Sequence, residues 1–143
     1  FSALTCEENL MLPPVIAPNG MSVEEIYDMF PNLLERRNSP GTRLSGGEQQ
    51  MLAMARILRT GAKVLLLDEP TEGLQPSMIA LIRDVVVKLR AQGVAVVLVE
   101  QRPDAVLRMA DRVAFMAQGR VATVVAAAEL TRDSSLFQQF VGV

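Results

Sequence analysis

Two rhythms of hydrophobic and polar positions divide this chain near residue 60. Before that point, Ser/Thr-x-x-Glu patterns occur at Thr5–Glu8, Ser22–Glu25 and Ser45–Glu48. In each, a hydroxyl and a carboxylate are spaced to satisfy the orphan N–H groups that open a helix. The pattern predicts helices over about 6–12, 23–36 and 47–59, joined by breaker-rich connections at 13–21 (PPVIAPNGM) and 38–44 (NSPGTRL). Nothing in this third of the chain alternates as a strand does.

From residue 63 the rhythm changes. The run VLLLDE (64–69) has strand length and predicts a strand buried on both faces. Pro76 is placed to open a helix in which Ile82, Val85, Val86 and Leu89 fall on one stripe, and Gln92-Gly93 closes it. VAVVLVEQ (94–101) then reads as a second buried strand. Strand, helix and strand within about forty residues form a βαβ unit with parallel, right-handed connection. A helix at about 103–110 follows, then two strands over 112–125 turned at Gln118-Gly119, and a helical tail through Ala126–Leu130 and SSLFQQFV.

Composition narrows the function. A length of 143 residues suits one domain, and 50% hydrophobic with 21% charged residues marks a globular chain. The net charge is only −2 with acids and bases interspersed, so there is no basic footprint for nucleic acid. No apolar run reaches the ~18 residues a membrane span needs. A single Cys6 forms no internal disulfide and fits a reducing compartment. With no histidine, His triads and imidazole metal sites are excluded. The chain opens on Phe1, so a natural start upstream is expected.

Ligands of open parallel sheets sit beyond the carboxyl ends of the strands, where Asp68, Glu69, Glu100 and Gln101 fall. One acid there can simply mark a strand reaching the surface. Two adjacent carboxylates followed by Pro70 and Thr71 repel one another unless a cation sits between them. A carboxylate after an apolar strand is how P-loop nucleotidases hold Mg²⁺, and the next acid can polarise a water for attack on a γ-phosphate. The second candidate is LSGGEQQ (44–50), where Ser45, Gly46 and Gly47 open a helix whose bare N–H groups attract anions. Taken alone, an ordinary capping box explains it equally well.

LSGGEQQMLAMARIL (44–58) followed by VLLLDEPTEGL (64–74) resembles the ATP-binding subunits of ABC transporters, the first segment their signature motif and the second their Walker B. LTCEENL (4–10) is similar to the entry of their helical subdomain, and EGLQPSMI (72–79) with VVLVEQ (96–101) to the branched-chain amino acid and urea importer branch. The resemblance implies an α/β, P-loop NTPase-like ABC ATPase with a partial core (parallel βαβ plus C-terminal hairpin). Residues 1–60 would form the helical, signature-bearing subdomain, and 61–143 the C-terminal part of the catalytic core. It implies that Asp68 orients Mg²⁺, that Glu69 is the general base, and that Ser45, Gly46, Gly47 and Glu48 meet the γ-phosphate of ATP on an opposite subunit. Gln101 stands where most members carry the switch histidine; it can hydrogen-bond to a phosphate but cannot titrate. Gln75 stands where many carry an aspartate in the loop after Walker B.

The same resemblance implies a second ATPase subunit and membrane permease subunits as partners, a cytoplasmic location against the inner membrane face, and a permease contact within residues 1–40. No G-x-x-x-x-G-K-[ST] loop occurs in the chain. The P-loop, the adenine-stacking aromatic and the glutamine linking the subdomains are therefore expected before residue 1, and this stretch is expected to be inactive alone. The alternatives are a non-transport ABC ATPase acting on ribosomes or DNA, and a non-catalytic interaction module of the same fold. Finally, the strand 94–99 is expected to have an open apolar edge through which the chain self-associates.

Overall fold

The computed structural model describes residues 1–142. All three expected capping boxes are present. Thr5 caps α1 (Cys6–Met11), Ser22 caps α2 (Val23–Met29) and Ser45 caps α4 (Gly46–Arg59), each reciprocated by the glutamate three residues on. The helix expected over 23–36 is instead two helices. Phe30 leaves helical geometry (φ −127°, ψ 72°) and ends α2, and Pro31 opens α3 (Pro31–Glu35). Proline disfavours helical backbone in the residue before it and lacks the N–H a continuous helix would use. Phe30 is fully buried at this corner, so packing reinforces the break.

The inner faces of these helices merge with the βαβ unit in one apolar cluster. It runs from Leu10, Ile26 and Phe30 through Met51 and Ala55 to Leu65, Ile82 and Val86. In the βαβ unit, β1 (Val64–Asp68) pairs in parallel with β2 (Ala95–Val99) through α5 (Pro76–Ala91), in a register that sets Val64 opposite Ala95 and Asp68 opposite Val99. The α5 stripe Ile82, Val85, Val86 and Leu89 is buried as its spacing predicted.

Burial of β1 on both faces is not what the structure has. Leu65 and Leu67 point into the core, whereas Leu66 is 73% exposed and its neighbour Val97 55% exposed. A strand alternates its side chains between faces, and only one face of this two-stranded sheet is covered. Among the described residues the outer edge of β2 pairs with no further strand.

After α6 (Pro103–Met109), β3 (Arg112–Ala117) and β4 (Arg120–Ala126) make a separate antiparallel pair. Gln118 (φ 49°) and Gly119 (φ 74°) both take left-handed backbone between them, as a two-residue type I′ hairpin turn requires. The tail is less helical than its sequence suggested: β4 runs to Ala126, Ala127–Glu129 is one 3₁₀ turn, and α7 spans Ser135–Phe140. Phe137 packs edge-on to Phe115 at 5.4 Å and closes a small second core. No helix among the described residues is long and apolar enough to cross a membrane.

Two expectations can be checked. The Ser45 N–H, aided by the Ser45 hydroxyl and Arg36 and opposed by partial burial, holds the Glu48 carboxyl below its ordinary value of 4.5. A depressed folded-state value gives stability that is present above that pH and is lost as pH falls through the folded value. Thermal unfolding followed downward from pH 5 should therefore show a steeper loss in the wild type than in Glu48→Gln, which keeps the box but not the charge. The bare edge and face of β2 should also make the chain self-associate. Sedimentation should show mass rising with concentration, and Val97→Lys should suppress it by charging the exposed face.

Candidate functional site

At the carboxyl end of β1 the chain turns sharply. Asp68 is exposed, and its carboxylate takes no protein hydrogen bond among the described residues. Glu69 follows in left-handed backbone with φ 44°. That conformation is strained for a residue with a Cβ and persists only when its surroundings enforce it. The Glu69 N–H donates to the Val99 carbonyl at 2.9 Å, so the turn is fastened to the end of β2. Glu69 Oε1 then accepts a short hydrogen bond from the Gln101 side-chain amide, a partner 32 positions away. The two side chains the sequence assigned to hydrolysis are thus in contact.

The next residues tie the same two strand ends together again. Thr71 is fully buried, and its hydroxyl donates to Glu100 Oε2 at 2.5 Å. Glu100 Oε1 accepts from the N–H groups of Gln101 (3.2 Å) and Arg102 (3.3 Å). Gln50, on the first turns of α4, donates its side-chain amide to the Pro70 carbonyl at 3.4 Å. Sequence reasoning placed Glu100 at a strand end without a role and passed over Thr71. The sequence carried no signal for it: Thr71 lies in a turn of charged residues and glycine, and only the fold buries its hydroxyl, which then needs a partner.

The start of α4 is a second group. Ser45 and Gly46 are exposed, and a methyl placed on Gly46 would meet nothing within 4 Å, so its backbone is open to a ligand. Gly47 instead leans on α5: a methyl there would lie 3.5 Å from Met78 Cε and 3.8 Å from Leu74 Cδ2. The Glu48 carboxylate is occupied, accepting from the Ser45 N–H at 2.7 Å and from Arg36 at 3.1 Å. Gln75 is exposed as the first boundary residue of α5 and makes no side-chain capping bond. The site residues therefore form one cluster of Asp68, Glu69 and Gln101 and one of Ser45 to Glu48, with Leu74-Gln75 beside the latter.

Elsewhere, Cys6 is buried against the Leu33 carbonyl, and burial pushes its thiol up to about 11, so it is no nucleophile at neutral pH. The first forty residues do expose apolar surface. Met11, Leu12, Val15 and Ile16 are 45–69% exposed, whereas Phe30 is fully buried and Met21 and Met29 pack partly against the core.

Comparison with known proteins agrees with this geometry. The sequence profile of the family described as ABC transporter matches residues 1–72. The high-affinity branched-chain amino acid transport ATP-binding protein BraG of Pseudomonas aeruginosa is 37% identical over 99% of this chain and 62% of its own length. The probable branched-chain amino acid transport ATP-binding protein LivF of Archaeoglobus fulgidus is also 37% identical, over all of this chain and again 62% of its own length. The dimeric structure of MJ0796, a bacterial ABC transporter cassette, superposes with a TM-score of 0.75 at 26% identity, over 89% of this chain and 58% of that one. The chain thus spans under two-thirds of each relative. A profile match over half the chain, an α/β architecture shared with a solved cassette, and the contact of Glu69 with Gln101 lead to one assignment: the chain belongs to the ABC transporter family.

Proposed function

We propose that this chain is part of the ATP-hydrolysing subunit of an importer for a small polar solute such as a branched-chain amino acid or urea, working at the cytoplasmic face of a membrane. The observation that carries the reading is the Glu69–Gln101 contact beside a free Asp68. BraG and LivF, both named for branched-chain amino acid transport, support the solute class. Residues 1–60 serve as the signature-bearing subdomain, and 61–143 as the C-terminal part of the catalytic core.

Chemically, the arrangement suits water attack on a γ-phosphate. With Glu69 Oε1 held by the Gln101 amide, Oε2 takes no protein hydrogen bond among the described residues and is free to accept the proton of an attacking water. Gln101 orients that carboxylate without competing for the proton, because an amide does not titrate. Asp68 fits Mg²⁺: it offers exposed, unengaged carboxylate oxygens, and Mg²⁺ takes only one or two carboxylates from protein where substrate phosphates and water complete its shell. When bound, Mg²⁺ neutralises phosphate charge. The open backbone of Gly46 and the exposed Ser45 hydroxyl at the start of α4 are suited to a γ-phosphate held by a second subunit, with Gly47 and Gln75 shaping the adjoining surface. The solved dimer of the MJ0796 cassette supports a paired subunit. Glu48, neutralised by Arg36, acts by holding the helix start in shape. This chain has no phosphate-binding loop of its own, so hydrolysis needs one supplied by the rest of the subunit and the chain alone is inactive.

The exposed patch at Met11, Leu12, Val15 and Ile16 is the surface we assign to a permease subunit. Met11 and Leu12 end α1, and three prolines within residues 13–18 restrict the backbone of the loop that carries Val15 and Ile16.

In an intact subunit carrying these residues with a phosphate-binding loop, Glu69→Gln should still bind ATP while hydrolysis slows by a factor of ~10² or more. Unchanged turnover would remove Glu69 from the role of base. Photocrosslinkers at Val15 and Ile16 of the assembled transporter should capture a permease subunit. Capture only from positions beyond residue 40 would overturn that docking surface.

A further inference from the structure

The hydrolytic pair is only as good as the geometry of two loops belonging to different strands, and a single carboxylate joins them. Glu100 Oε2 accepts from Thr71, in the loop after β1, while Glu100 Oε1 accepts from the N–H groups of Gln101 and Arg102, in the loop after β2. We propose that Thr71 and Glu100 are positioning residues that lock the left-handed turn at Glu69 and present Glu69 to Gln101. The inference rests on the reading of Glu69 and Gln101 given above.

Three observations point this way. First, Thr71 is fully exposed to protein and not at all to water, so its hydroxyl depends on Glu100 for a partner. A charge-assisted bond of this kind is among the stronger ones available to a side chain. Second, Glu69 occupies a backbone state that needs restraint on both sides. The bond from its own N–H to Val99 supplies one restraint, and the Thr71–Glu100 bond, two residues further on, supplies the other. Third, a carboxylate at position 100 adds a third negative charge near Asp68 and Glu69, which electrostatics alone disfavours. Three donors converge on Glu100, and only a carboxylate can accept from all of them. A glutamine there could keep both N–H bonds on its one oxygen, but its NH2 would donate to the Thr71 hydroxyl, reversing that bond and removing its charge assistance. Glu100 is thus a bracket whose two oxygens serve two loops.

The test uses the intact subunit with Thr71→Val, which keeps the volume and removes the donor, and Thr71→Ser, which restores it. Thr71→Val should lower kcat roughly ten- to hundredfold, the scale of a small misplacement of a reacting group, with KM for Mg-ATP within about twofold. Thr71→Ser should retain kcat to within about threefold, and Glu100→Ala, which removes both acceptor oxygens, should behave like Thr71→Val. If the bracket acts through Glu69, adding Thr71→Val to Glu69→Gln should cost nothing more. An unchanged kcat in Thr71→Val, losses that multiply in the double variant, or no rescue by serine would overturn the proposal. Should Thr71→Val fail to fold, Glu100→Ala supplies the same comparisons. Amide hydrogen exchange in the full chain separates this inference from the reading beneath it. Faster exchange at Glu69, Gln101 and Arg102 in Thr71→Val, with protection in α1 and α2 unchanged, supports the bracket even if Glu69→Gln hydrolyses ATP normally. Unaltered exchange at those three amides sinks it.

Discussion

Parallel pairing of β1 with β2 is the constraint on which everything else in this chain depends. Two strands running the same way deliver their carboxyl ends to one edge, so Asp68 and Val99 finish level with each other. Every chemically interesting residue of the core then lies within a few positions of those ends. An antiparallel pairing of the same two segments would put Glu69 and Gln101 at opposite ends of a strand, roughly 15 Å apart at ~3.3 Å per residue. The crossover helix α5 enforces the parallel choice, because its buried stripe must lie against the inner residues Leu65, Leu67, Val96 and Leu98.

A matching of lengths adds the signature residues to the same end of the molecule. The 14 residues of α4 carry the chain about 21 Å one way, and the five of β1 bring it back about 17 Å. The loop after β1 therefore returns to the first turns of α4, where Gln50 meets Pro70 and Gly47 meets Met78. Two motifs that look independent in sequence are held side by side by this doubling back. Their spacing follows from the geometry of a helix followed by a strand.

Much of this could be read from the residues because it is locally encoded. A hydroxyl and a glutamate three apart carry their own reason to start a helix, and all three such boxes formed; Gln118-Gly119 likewise encodes its turn. What escaped reading depends on neighbours distant in sequence. An apolar run such as VLLLD states what a strand tolerates on its two faces, not what lies against them, and the outward Leu66 shows the difference. The break at Phe30 was legible in Pro31, but the Ser22 capping box and the next breaker-rich stretch at 38–44 pointed to a single helix. The Thr71–Glu100 bond joins residues 29 apart, and neither carries a local pattern announcing the other.

The contact between Gly47 and Met78 has a mechanical consequence. Where two helices meet through branched side chains, they interlock, and sliding one past the other requires several side chains to change rotamer together. Here a bare backbone carbon on α4 faces an unbranched thioether on α5, with room for a methyl between them. Methionine is the most adaptable of the apolar side chains and re-forms its contacts after small shifts. The start of α4 therefore faces α5 through one adaptable side chain, while Gln50 and Glu48 fasten it to the loop after β1 and to Arg36. The strand ends a short distance away are pinned by hydrogen bonds of fixed geometry, so a contact that can be remade borders one that cannot.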